Sequence, residues 1–143
     1  MLQRLRLSYD IYQMVDVQIL DLGGKRLVKF PKDLSAFSEL VELFLDVNKL
    51  THIPLCVKGL QKLRFINLRE NKLREFPVFL YNLPCLEVVV LSKNELTELP
   101  QSIECMQGLK ELYLQGNLIE QGVIENLKEL LPNCKIYKDY EQN

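Results

Sequence analysis

A right-handed solenoid of short parallel strands, α/β in class, is the fold that the 143 residues predict. Three observations carry the prediction. Leu40, Leu63, Leu86 and Leu109 recur every 23 residues, with Val17 one period before them. Proline holds the fifteenth position of every full repeat, as Pro31, Pro54, Pro77 and Pro100. Asparagine holds the ninth position as Asn48, Asn71, Asn94 and Asn117, and only Lys25 breaks that column. Self-similarity at such a period belongs to stacked repeats, each too small to bury its own apolar face.

Aligned on the period, the chain reads VQILDLGGKRLVKFPKDLSAFSE, LVELFLDVNKLTHIPLCVKGLQK, LRFINLRENKLREFPVFLYNLPC, LEVVVLSKNELTELPQSIECMQG and LKELYLQGNLIEQGVIENLKEL. In each, positions four and six are apolar and their neighbours are not uniformly so. That period of two predicts a strand. Short parallel strands are expected near 19–21, 42–44, 65–67, 88–90, 111–113 and 135–137, joined by right-handed connections. Leucines at positions one, four, six and eleven then point into one continuous core. The asparagine sits where the chain leaves the strand, and its amide can serve turn groups that would otherwise be buried without partners. The proline fixes φ and keeps the return half out of the sheet. That half is expected as irregular or 3₁₀ structure on the convex side.

The ends depart from the repeat. After Asn117, apolar residues at Val123, Ile124, Leu127, Leu130 and Leu131 follow helical spacing, which predicts a capping helix over Gly122–Leu131, stopped before Pro132. Cys134 and Ile136 then make a last partial strand. At the front, Leu5, Leu7, Tyr9 and Ile11 alternate while Leu2, Leu5, Tyr9 and Tyr12 fit a helix, and the sequence does not choose. The expected organisation is one domain: an N-terminal cap over 1–16, repeats over 17–121, and a capping helix, final strand and tail over 122–143.

The consensus LxxLxLxxNxL with LPxxL in its second half resembles the leucine-rich repeat superfamily. Its 23-residue form resembles the cytosolic Ras-suppressor-like and Scribble-like repeats. The resemblance covers roughly residues 17–137 and speaks strongly for fold, weakly for role. It implies a scaffold, adaptor or regulatory subunit.

Composition excludes several classes. With 48% apolar and 26% charged residues and a net charge of −1, the chain is neither a disordered tail nor a polycation. The longest uncharged stretch, Phe76–Leu86, is too short to span a bilayer and holds two prolines, so no membrane insertion is expected. Charges in Met-Leu-Gln-Arg-Leu-Arg-Leu read against a secretory leader. The charge is unevenly spread, net +2 over 1–35, +3 over 61–75 and −5 over 76–143. The four cysteines form no CxxC, and one histidine cannot complete a zinc pattern. No metal, no cofactor and no catalytic residue is therefore expected. His52 reads as a surface residue and Cys134 as a core one. Absent glycosylation sequons and unpaired cysteines favour an intracellular location, the cytoplasm ahead of the nucleus.

The residues that the repeat does not explain are the outward ones on the strands. Phe44, Phe65, Val88, Val90 and Tyr113 should form an apolar stripe on the concave face, rimmed by Glu42, Asp46 and Arg69. An exposed apolar stripe with aromatic anchors marks a binding surface. Position eight (Gly24, Val47, Glu70, Lys93, Gly116) reads as part of the same face. A second candidate patch combines Leu55, Val78, Phe79 and Tyr81, where the outer repeats are polar. The expected function is a non-enzymatic protein–protein interaction module that binds a protein or peptide on its concave sheet; the sequence does not fix its oligomeric state, a monomer being favoured. One alternative is a target-recognition subunit of an enzyme complex with catalysis on another chain. A weaker one is an RNA-associated protein using Lys62, Arg64, Arg69, Lys72 and Arg74, against which the net charge counts.

Overall fold

The computed structural model describes residues 16–31, 34, 36–54 and 59–139. Six three-residue strands run β1 (Ile19–Asp21), β2 (Glu42–Phe44), β3 (Phe65–Asn67), β4 (Val88–Val90), β5 (Glu111–Tyr113) and β6 (Lys135–Tyr137). They form one parallel sheet in sequence order, as the alternation predicts. Each strand pairs with the next at a shift of 23 residues, Leu20 opposite Leu43 and Leu43 opposite Ile66. The last pairing sets Leu112 against Ile136, one residue out of period, because α1 replaces the usual return segment.

The middle residue of each of the first five strands is buried, and so are Leu22, Leu45, Leu68, Leu91 and Leu114 two residues further on. With Leu40, Leu63, Leu86 and Leu109 they make the continuous core. Parallel pairing of three-residue strands yields few ladder bonds. Burial of apolar area therefore holds the sheet, at roughly 25 cal/mol per Å².

The turns are closed by the asparagine column. Asn71 Nδ2 donates to Leu68 O in its own repeat at 3.1 Å and to Leu45 O in the repeat before at 2.9 Å, while its Oδ1 accepts the Leu50 N–H at 3.0 Å. Asn48, Asn94 and Asn117 repeat this arrangement. Each side chain thus serves the preceding turn as well as its own. That explains why Lys25 is tolerated: Leu22 O and Leu27 N–H are both satisfied by Asn48.

The prolines act by opening the return segment. Pro77 and Pro100, with φ fixed near −70°, precede 3₁₀ turns over Val78–Asn82 and Gln101–Cys105, and their carbonyls accept from Leu80 N and Ile103 N. The capping helix α1 spans Gln121–Leu130, one residue ahead of the expectation at both ends, and buries Ile124 and Leu127. The shift arises because Glu120 O already accepts from Val123 and Ile124 N–H, which makes Gln121 the first helical residue. The alternatives for residues 1–15 lie outside the described residues.

Candidate functional site

The concave face is built by the outward residues of the strands. Phe44, Phe65, Val88, Val90 and Tyr113 are half-buried, beside fully buried neighbours such as Leu43, Ile66, Val89 and Leu112. The register joins them. The rings of Phe44 and Phe65 meet with centroids 5.1 Å apart, Phe65 faces Val88, Val90 faces Tyr113, and Tyr113 faces Tyr137. One unbroken apolar path results. Its side chains are not bare, because they shield one another sideways, as cross-strand pairs do. Ile19, 60% exposed, stands apart, since Glu42 lies opposite it.

Tyr137 extends the path beyond what the sequence indicated. Its ring stacks on Tyr113 at 4.2 Å and 5°. The one-residue slip before β6 hid it, since Tyr137 falls off the repeat period. The Tyr113 hydroxyl donates to Glu111 Oε2 at 2.6 Å, and this carboxylate, with burial second, raises the phenol far above its ordinary range. Tyr113 is therefore a neutral donor at every physiological pH.

Among the rim residues, Glu42 and Asp46 are half-buried and Arg69 is exposed. Arg69 and Lys93 both reach Glu70 Oε1, at 3.1 and 3.0 Å. Lys93 first, then Arg69, holds the Glu70 carboxyl below its ordinary value. On the C-terminal half of the face a hollow of about 500 Å³ is lined by Val90 and Tyr113 together with Asn67, Arg69, Lys93 and Asp139. Arg69 and Lys93 pair with Glu70, and Asp139 Oδ2 accepts the Gly116 N–H at 2.8 Å. The hollow is thus lined by apolar and charged groups together.

Position eight is the turn that edges the face: Gly24, Val47, Glu70, Lys93 and Gly116 all have φ between +53° and +71°, and Lys93 and Gly116 line the hollow with Val90 and Tyr113. One expectation is corrected. In the second candidate patch, Phe79 belongs to the core. Only 1% of it is exposed, and its ring meets Phe30 of two repeats earlier at 5.8 Å. Tyr81 is half-buried and stacks on Phe76, Val78 is half-buried, and Leu55 lies outside the described residues. Val78, Phe79 and Tyr81 thus do not form an open apolar patch.

Other chemistry is sparse. His52 is exposed beside Thr51. Cys85 and Cys105 are exposed, and Cys134 is half-buried, with its thiol pushed up to about 11 by that burial. Cys56 lies outside the described residues. Among the described residues, no three His, Cys, Asp or Glu side chains gather to hold a metal, and no helix is long and apolar enough to cross a membrane.

A parallel-sheet solenoid with an asparagine ladder in its turns defines a class of repeat proteins, and solved structures name it. A leucine-rich repeat protein of Leptospira interrogans matches with a TM-score of 0.81 and 30% identity over 93% of this chain and 34% of its own. TLR13, in its complex with ssRNA13, matches at 0.75 and 25% identity over 92% and 19%. Internalin C2 of Listeria monocytogenes matches at 0.71 and 23% identity over 93% and 57%. The chain is a leucine-rich repeat protein by sequence repeat and by fold, and spans about a third of the Leptospira protein's length. No family model matches it. No curated protein matches it.

Proposed function

We propose that the chain is a non-enzymatic protein-interaction module whose concave face receives one protein or peptide partner, in the manner of an adaptor, scaffold or regulatory subunit. The observation that carries this reading is the apolar path from Phe44 to Tyr137. It lies on the side of the sheet away from the core, and the repeat does not require it. Aromatic anchors on a preformed surface bind with little rearrangement. Glu42, Asp46 and Arg69 supply the polar surround. Cysteines at unmatched repeat positions fit a reducing, intracellular compartment, and a free monomer fits the charged exterior.

The reading favours protein over RNA as partner. Of the five cations that suggested nucleic acid, Lys62, Arg64, Arg69 and Arg74 are each paired with a glutamate, so the cluster presents little net charge to phosphates. A constitutive enzyme complex with catalysis on another chain uses the same face, and differs only in copurifying stoichiometrically.

Affinity capture tests the proposal. The wild-type chain should recover a partner that the folded Phe44→Asp/Phe65→Asp variant does not. Equal recovery by both moves the site elsewhere.

A further inference from the structure

Among the described residues, six cations of the repeats are ion-paired, five of them with a glutamate of a neighbouring repeat. Lys62 meets Glu39, Arg64 and Lys110 share Glu87, Arg69 and Lys93 share Glu70, and Arg74 meets Glu95. Among the described residues from 16 to 110, the cations without an ion pair are Lys25, Arg26, Lys29, Lys49 and Lys72. All five are exposed.

They also share one place in the fold. Arg26, Lys49 and Lys72 occupy the tenth position of successive repeats, just past the turn that follows the strand. Lys49 N–H donates to Leu27 O at 2.8 Å and Lys72 N–H to Leu50 O at 2.9 Å, which stacks these loop segments into a column beside the sheet. Neighbouring strands lie about 4.8 Å apart, so the three side chains leave one rim at close intervals. Lys25 and Lys29 flank the first of them. Each cation raises the cost of the next, and the five, none of them ion-paired among the described residues, form a local positive field that reaches its limit at Glu75, exposed at the thirteenth position of the third repeat.

The column then changes sign. Its fourth member is Glu95, already held by Arg74 at 3.0 Å, and Glu98 and Glu120 follow on the exposed segments beyond. The basic stretch is therefore three repeats long with an acidic border. A nucleic-acid backbone running along the rim would meet that border. A short run of carboxylates ends where the border begins.

We propose that the rim formed by Lys25, Arg26, Lys29, Lys49 and Lys72 docks an acidic segment of a protein partner, a run of Asp and Glu side chains, next to the concave face and separately from its apolar path. Charge complementarity here sets encounter and orientation, while the concave path supplies the anchors.

The test uses the whole chain and a fluorescein-labelled twelve-residue peptide of Glu and Gly, titrated at about 150 mM salt. The Arg26→Gln/Lys49→Gln/Lys72→Gln variant should bind it at least about tenfold more weakly, a loss of roughly 1.4 kcal/mol. A control variant that removes the same number of paired cations, Lys62→Gln/Arg64→Gln/Lys110→Gln, should stay within about twofold, since surface pairs carry little net field. Thermal melts confirm that both variants are folded. Equal weakening by the two variants overturns the proposal, because attraction is then diffuse. Absent binding by the wild type overturns it as well. So does a single-stranded RNA of the same length that binds the rim more tightly than the peptide.

Discussion

Phe65 and Ile66 are consecutive residues of one strand, and they answer to different demands. Ile66 is wholly buried, and its counterparts in the sheet are Leu20, Leu43, Val89 and Leu112. Phe65 is half-buried, and its counterparts are Ile19, Glu42, Val88 and Glu111. The backbone and its neighbours are the same for both rows, so strand propensity cannot explain the contrast. The inward row must fit one shared core, where volume is fixed and polarity is excluded. The outward row has no such constraint from the fold. The apolar side chains that persist there are the basis of the proposed partner site.

Breaking the inward row should have the largest effect. Ile66→Asp puts a carboxylate where nothing can pair with it, and the chain should be unfolded at room temperature by circular dichroism. A cooperative melt close to that of the wild type would remove the basis of the contrast.

The asparagine ladder comes next. Asn94→Ala orphans the buried Leu73 N–H and removes one of two asparagine donors from each of the Leu68 and Leu91 carbonyls, which keep Asn71 and Asn117. An unsatisfied buried group costs about 1–3 kcal/mol. Lys25→Ala, in the same column, should leave the denaturation midpoint almost unmoved, because Asn48 already serves that turn. Matching shifts for the two would refute the account of the turns.

A smaller effect of opposite sign is expected at Val47. A β-branched residue at φ 53° is strained, and the side chain is 52% exposed, so little packing is lost on removing it. Val47→Gly should stabilise the chain by about 1 kcal/mol. Destabilisation in urea would show that Val47 packs in a way its exposure hides.

The smallest effect is acid sensitivity. Lys110 first, then Arg64, holds Glu87 below its ordinary value of 4.5. A carboxyl lowered on folding stabilises the chain above its unfolded pKa, and loses that contribution as pH falls through the folded value. Glu87→Gln should thus be slightly less stable than the wild type at neutral pH, and the gap should close on acidification below about 4. A gap that is constant across that range would mean the pairs contribute nothing.

Much of this was legible in the sequence, for identifiable reasons. The first five strands lie where the period and the alternation put them, because the 23-residue repeat and a two-residue alternation together leave no freedom of register, whereas β6 covers the expected residues but pairs one residue out of period. The turn role of Asn71 and Asn94 followed from the need to satisfy buried amides. Phe79 was misread because its column is polar in other repeats, whereas its ring reaches back across a repeat to Phe30, a contact that no single repeat encodes. The turn at position eight was hidden because a left-handed φ is a backbone property, which Val47, Glu70 and Lys93 conceal and only Gly24 and Gly116 betray. Tyr137 was missed because helix α1 inserts a residue and ends the period. The basic rim escaped notice for a different reason. Counting charges cannot separate cations that are paired across the repeat from those that are not.

The most direct measurement sets the two rows against each other one residue apart, as the urea denaturation of Phe65→Ser beside that of Ile66→Ser. The account predicts that Ile66→Ser costs about 3 kcal/mol or more, from lost burial and a stranded hydroxyl. Phe65→Ser should cost about 1 kcal/mol, the worth of its sideways contact with the Phe44 ring. Equal losses would place Phe65 in the core, and the concave path would then be packing and not a site.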